Sequence, residues 1–206
     1  MIHTLLLHGH IDVNCYIVEH DKQCYIIDPG YEKHRIIDFV TNHGYTVLGI
    51  LLTHGHTDHI GAIDAFDVPV YIHEDDYALF MSRYETGFAR YHKTQPYDIN
   101  TIDVRPFKSD ASFTLGSETI EVIHTPGHTK GGVCYLLNDA VFTGDTLFNG
   151  SVGKWTFESG SYDDLKKSVV GLINTLDDEI KVYPGHNASS TIGYEKKHNT
   201  VYLRWI

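Results

Sequence analysis

Hydrophobic positions along the chain fall into short runs that end abruptly in glycine, proline or histidine. Ile2–His8, Asn14–His20 and Gln23–Asp28 read as strands, and the last two flank a polar turn at Asp21 and Lys22 that predicts an antiparallel hairpin. Pro29-Gly30 breaks the pattern. Ile36, Ile37, Phe39 and Val40 then recur at roughly helical spacing over Glu32–Asn42, with Gly44 where a helix C-terminus favours glycine. Val47–Thr53 is almost wholly apolar, the pattern of a strand covered on both faces. A short helix from about Asp58 to Phe66 and a strand at Val68–Ile72 are expected next.

The second half repeats this alternation. Strands are expected at Thr119–His124, Val133–Leu137 and Ala140–Thr143, then a helix over Tyr162–Leu176, a strand at Ile180–Tyr183 and a short helix near Ile192–Lys197. Each half reads strands first, then helix and strand, which suggests two sheets packed face to face with helices outside. No linker or charge block divides residues 1–206, so one domain is expected. Between the halves, Phe80, Tyr84, Phe88 and Tyr91 step by four, four and three, which places them on one helical face. Such a stripe packs on a core, lines a pocket or meets another subunit.

Composition narrows the function. The net charge of −11 lacks the basic footprint of phosphate-backbone binding, so no nucleic-acid partner is expected. No apolar run approaches the ~18 residues that span a bilayer, and MIHTLLLHGH has no basic segment of a secretory signal. Three cysteines without a CxxC pair argue against a disulfide scaffold and fit a reducing cytoplasm. Cys15 and Cys24 alternate within strands and read as buried packing. Histidine is the unusual residue, at 15 of 206.

Four segments concentrate that histidine just beyond strand ends. His54-Gly55-His56-Thr57-Asp58-His59 follows the buried strand, and a chance HxHxDH at this composition is expected only about 0.007 times. Residues two apart in extended backbone point the same way, so His54 and His56 share a face. Imidazole and carboxylate suit zinc, iron and manganese, and no cysteine is near. Pro126-Gly127-His128-Thr129, Thr143-Gly144-Asp145-Thr146 and Pro184-Gly185-His186 have the same character. A metal cleft built from loops requires such an arrangement. By contrast, His124 reads as structural or supporting, His73 as the start of a helix, and His8 and His10 as loop or pocket-rim residues.

The set HGHTDH, PGHT, TGDT and PGH, within a pattern running from Asn14-Cys15-Tyr16 to Glu195, resembles the metallo-β-lactamase fold superfamily. The specific resemblance is to its glyoxalase II-like (hydroxyacylglutathione hydrolase-like) branch. It implies an α/β fold, an αββα sandwich of two mixed sheets with helices on the outer faces. It implies that His54, His56 and His128 hold one metal, Asp58, His59 and His186 a second, and that Asp145 bridges them. The helical domain that carries much of glutathione recognition in glyoxalase II has no counterpart up to Ile206, so only a weak preference for glutathione is expected. Two local departures are Gly61-Ala62 in place of Gly-Gly, and Gly153-Lys154-Trp155-Thr156 where relatives often carry G-R-x-D. Lys154 is a candidate contact for an anionic substrate.

Ligand chemistry then suggests a reaction. Two divalent ions ~3.5 Å apart repel by roughly 19 kcal/mol at an effective dielectric near 20, which a bridging carboxylate offsets. Water shared by such ions approaches a pKa of about 7 and serves as a nucleophile, with Asp58 and Asp145 holding the catalytic ions. Thiolate leaves without much acid assistance. The expectation is therefore hydrolysis of a small-molecule thioester by two divalent ions, zinc first, iron or manganese otherwise. A mononuclear-iron persulfide dioxygenase and a lactone or phosphoester hydrolase are the alternatives.

Overall fold

The computed structural model describes residues 1–82, 87 and 96–206. Tyr84, Phe88 and Tyr91 of the aromatic stripe lie outside these residues. Phe80 is buried, in agreement with core packing.

Strands β1 (Ile2–Leu7), β2 (Val13–His20), β3 (Gln23–Ile27), β4 (Thr46–Leu51), β5 (Val70–His73) and β6 (Val104–Phe107) form one sheet in that order. The first pairings are antiparallel, including the expected β2–β3 hairpin, and those from β3 onward are parallel. The second sheet runs β14-β13-β10-β9-β8-β7, from β7 (Ser112–Leu115), β8 (Glu118–His124), β9 (Val133–Leu137), β10 (Ala140–Gly144), β13 (Lys181–Pro184) and β14 (Ser190–Thr191). Its one parallel pair is β10–β13. A small hairpin, β11 (Leu147–Phe148) with β12 (Ser151–Val152), stands apart.

The near-absence of polar residues in the central strands follows from burial on both faces. Along β3, Cys24 and Ile26 face one apolar layer and Tyr25 and Ile27 the other, the period-two alternation of a pleated strand. The inner layer lies between the sheets, where Tyr16, Ile27 and Leu51 meet Phe113, Tyr135 and Phe142. The first outer layer is closed by α1 (Lys33–His43), which buries Ile36 and Val40. Gly44 ends α1 in the left-handed conformation expected of a glycine cap, at φ 64°. The second outer layer is closed by α4 (Tyr162–Thr175) through Leu165, Val169, Leu172 and Ile173, helped by α5 (Ile192–His198) and α6 (Tyr202–Trp205). Ser161 caps α4 by accepting from the Asp164 N–H. The layers are α, β, β, α, as the resemblance implies.

The expected helix over Asp58–Phe66 is interrupted. It consists of α2 (Thr57–Ile60) and a separate 3-10 turn at Ile63–Ala65. Gly61 packs so closely on the Gly30 carbonyl that a Cβ there would lie 2.0 Å from the oxygen, and the Ala62 N–H bonds to the Pro29 carbonyl at 2.8 Å. These contacts with the turn after β3 end the helix. After β5, the 3-10 turn Glu74–Asp76, with His73 as its cap, leads into α3 (Tyr77–Met81), so His73 does precede helical structure.

Among the described residues no helix is long and apolar enough to cross a membrane. All three cysteines are fully buried, and burial raises their thiols, Cys24 and Cys134 to about 12. An aromatic disulfide reagent is therefore expected to titrate no thiol in the folded chain and three in denaturant. Rapid reaction of the native protein would contradict this packing.

Candidate metal centre

Strands β3, β4, β8, β10 and β13 all point their C-terminal ends to one edge of the sandwich, and their loops carry the polar residues that follow. His54 leaves β4 in irregular backbone, His56 is the extended cap of α2, and Asp58 and His59 lie on α2 itself. His128 sits in the turn after β8, Asp145 follows Gly144 at the end of β10, and His186 follows β13. The structure brings all seven predicted residues together.

They form two groups joined by one carboxylate. The rings of His54, His56 and His128 stand 4.7–4.8 Å apart, each nearly perpendicular to the others, so their nitrogens converge on one point. His56 Nδ1 lies 2.9 Å from His128 Nε2. Asp58, His59 and His186 make the second group, with His186 Nε2 at 3.3 Å from Asp58 Oδ2. Asp145 stands between them: Oδ2 is 3.4 Å from His128 Nε2, while Oδ1 is 3.3 Å from His59 Nε2 and 3.4 Å from His186 Nε2.

Each ring is aimed by what its other nitrogen touches. His128 donates its Nδ1–H to the Lys154 carbonyl at 2.6 Å and His186 to the Asp12 carbonyl at 2.5 Å, so both turn Nε2 inward. His59 donates to Asp28 at 2.9 Å, and His54 to Thr53 Oγ1, which itself donates to Asp28 at 2.6 Å. Such outer partners fix tautomer and orientation in metal sites. His54 Nε2, His59 Nε2 and Asp145 Oδ1 are buried with no hydrogen-bond partner. Orphaned polar atoms of this kind call for an ion, and a histidine–carboxylate donor set suits one. The residues fit a pair of divalent metals.

The electrostatics agree. Burial, reinforced by the neighbouring imidazoles, holds His54 well below its ordinary range, and burial with His128 takes His56 down to about 3, so both stay in the neutral ligand form. Burial also opposes charge on His59, but Asp28, Asp145 and Asp58 outweigh it and raise the ring. Burial opposes charge on His186 likewise, and Asp145 and Asp58 raise it to about 10. The same protons outweigh the upward effect of burial on the acids, holding Asp58 at about 2 and Asp145 well below the carboxylate range. An arriving ion must displace those protons.

Sequence reasoning missed two buried acids and the purpose of Asn14. Asp28, in left-handed backbone at φ 53°, accepts from the Thr53 N–H, Thr53 Oγ1 and His59. It stands just past β3, before Pro29-Gly30, which is the same strand-end signal that marked Asp145. Asp76 accepts from the Gly55 N–H at 3.1 Å, Thr129 Oγ1 at 2.8 Å and the Gly131 N–H at 2.6 Å, tying the His54–His56 loop to the His128 turn. Asn14 donates to the Pro184 and Asn187 carbonyls and Tyr16 to Pro184, holding the His186 loop. Asp76→Ala strips two buried backbone N–H groups of their acceptor and is expected to cost about 2–4 kcal/mol of stability and to loosen metal retention. Denaturant unfolding and chelator competition measure both, and an unchanged protein would refute the clamp.

A residue-by-residue comparison places this edge among known proteins. The profile of the Metallo-beta-lactamase superfamily matches residues 8–186. The chain belongs to the metallo-β-lactamase superfamily. Within it, the chain is 33% identical over 199 residues to the probable metallo-hydrolase YqgX of Bacillus subtilis, covering 93% of this chain and 92% of that protein. It is 33% identical over 201 residues to the hydroxyacylglutathione hydrolase GloC of Haemophilus influenzae, covering 90% and 91%. The BLEG-1 B3 metallo-β-lactamase superposes with a TM-score of 0.90 at 33% identity over 98% of this chain and 99% of that one. TTHA1623, solved in a di-iron-bound form, superposes at 0.82 with 32% identity over 97% and 99%. Two mixed sheets with helices outside are the shared architecture.

In this superfamily member the candidate centre floors a cavity of about 1200 Å³. Leu6, Ile11, Phe148 and Phe157 supply an apolar wall, and Lys154 lines the same cavity with its ammonium 5.0 Å above the Phe157 ring. His10 stands at the rim and donates to or accepts from Tyr31 Oη at 2.6 Å, as expected of a rim residue; His8 pairs with Asp12 outside.

Proposed function

We propose that this protein hydrolyses a small-molecule thioester, with two divalent ions, most simply zinc, held by His54, His56, His128 and Asp145 and by Asp58, His59, His186 and Asp145. The observation that carries the reading is Asp145 placed between two complete groups, with buried nitrogens of His54 and His59 left for ions. Ions bound there supply a water of near-neutral pKa and polarise the acyl oxygen. The chain's own residues do the rest. Asp58 and Asp145 concentrate negative charge against His59 and His186, Asp28 and the Lys154 carbonyl keep the rings aimed, and the apolar wall keeps bulk water from the acyl group. A thiolate leaves without much acid assistance, so the reaction asks no general acid of the chain. Lys154 pairs with an anionic part of the substrate, and the −11 net charge disfavours a polynucleotide. Similarity to GloC supports testing a hydroxyacyl thioester of glutathione first. Three buried free thiols support a cytoplasmic location.

Similarity to a protein solved with two irons leaves iron as the second candidate metal for the same hydrolysis. The test combines elemental analysis of fresh protein with aerobic and anaerobic turnover of thioesters, lactones, phosphoesters and a persulfide. Oxygen-independent thioester cleavage with two metals per chain is expected. Inert thioesters, with persulfide consumption tracking oxygen uptake at one iron per chain, would overturn the reading in favour of an oxygenase.

A further inference from the structure

A second convergence of donors lies at the seam between the two sheets. His73 is the last residue of β5 in the first sheet, and His124 is the last residue of β8 in the second. Their rings stack at 4.2 Å with an interplanar angle of 14°. Asp75, two residues past His73, places Oδ2 at 4.0 Å from His73 Nδ1. The three side chains each bring one donor atom to within 4.8 Å of the others. None of them belongs to the seven-residue centre.

The hydrogen bonds define which nitrogens are available. His124 Nε2 is 3.0 Å from the Lys130 carbonyl, which only accepts, so Nε2 carries the proton and Nδ1 keeps its lone pair. The Asp75 N–H donates to His73 Nδ1 over a long 3.2 Å, so Nδ1 is the bare nitrogen there too, and Nε2 donates to Ser109 Oγ at 2.9 Å. Both imidazoles therefore spend one N–H on an outer oxygen and keep the other nitrogen basic, the arrangement that orients metal-ligating histidines. His73 is 2% exposed, and its own burial together with the facing His124 ring lowers its pKa, which keeps it in the neutral form. A purely packing role does not require two imidazoles and a carboxylate. Phe107 already covers His73 edge-on at 5.7 Å.

We propose that His73, Asp75 and His124 form a further metal site, for one borderline divalent cation such as zinc, bridging the two sheets. Two nitrogens and one carboxylate oxygen select zinc, nickel or copper(II) over calcium or magnesium, which take oxygen ligands. Closure requires the Asp75 N–H to release His73 Nδ1, the half-buried His124 ring to turn out of the stack and the exposed Asp75 carboxylate to swing in. Lys130, whose ammonium lies 3.6 Å from Asp75 Oδ1 on a side chain 71% exposed, moves aside. Asp75 directly precedes Asp76, so an ion here braces the backbone that carries the clamp on Gly55 and Gly131.

The test is equilibrium dialysis of the full chain against zinc chloride, followed by elemental analysis, for wild type, His124→Gln, Asp75→Asn and Asp145→Ala. Wild type is expected to hold one equivalent more than His124→Gln. Asp75→Asn should bind that equivalent about tenfold or more weakly, since the charged ligand is gone. Asp145→Ala, damaged only in the other centre, should keep it, which makes the result independent of how many ions that centre takes. Should His124→Gln fail to fold, the surface change Asp75→Asn carries the comparison. Equal zinc content in wild type, His124→Gln and Asp75→Asn, or an extra equivalent that disappears only in Asp145→Ala, would overturn the proposal.

Discussion

Asp145→Ala is expected to abolish binding of at least one of two ions and to lower kcat by about 10³-fold or more, equivalent to roughly 4 kcal/mol of lost transition-state stabilisation. Its two oxygens face His128 on one side and His59 and His186 on the other. No other carboxylate of the centre spans both groups: Asp58 reaches only His59 and His186. Two divalent charges in one small volume repel by an amount far above the stability of the fold, so the shared anion decides whether both stay. Loss of the buried carboxylate beside His59 and His186 also lowers stability, so folding is checked alongside activity. Circular dichroism, elemental analysis and turnover separate these effects. A variant with two tightly held metals and wild-type turnover would refute the assignment of Asp145.

Asp28→Ala is expected to lower stability by about 3–5 kcal/mol and metal affinity by about 10–100-fold, although Asp28 touches no ion in the proposed arrangement. Its carboxylate is 2% exposed and accepts from the Thr53 N–H at 2.8 Å, Thr53 Oγ1 at 2.6 Å and His59 Nδ1 at 2.9 Å. Removal leaves a buried N–H unpaired and frees the rings of His54 and His59, which are aimed through Thr53 and Asp28. Asp28→Asn keeps an acceptor oxygen but loses the charge beside His59, so a smaller loss is expected from it. Denaturant unfolding and zinc retention against a chelator read the two quantities. If Asp28→Ala unfolds and releases metal like the wild type, the relay has no such part.

Much of this protein was legible before folding. The sequence by itself picked out the candidate donors: HGHTDH packs four of the seven into six residues, and His128, Asp145 and His186 each follow a strand beside glycine, a pattern that carries weight because the four segments occur together. It also determined the central strands, since only coverage on both faces explains runs such as Val47–Leu52 and Val133–Leu137. The edge strands were not legible. Val104–Phe107 and Ser112–Leu115 are four residues long, one contains Pro106, and they are extended because β5 and β8 offer them ladders. The helix after His56 is shortened by the Pro29 and Gly30 carbonyls, partners from another turn. Asp76 sits in Glu74-Asp75-Asp76, a run that reads as solvated surface, yet it is fully buried and its partners lie 21 to 55 residues away. Local sequence records propensity and ligand type. Which carboxylate is buried, and against which loop, depends on strand order and register, and those are set by contacts between residues far apart in the chain.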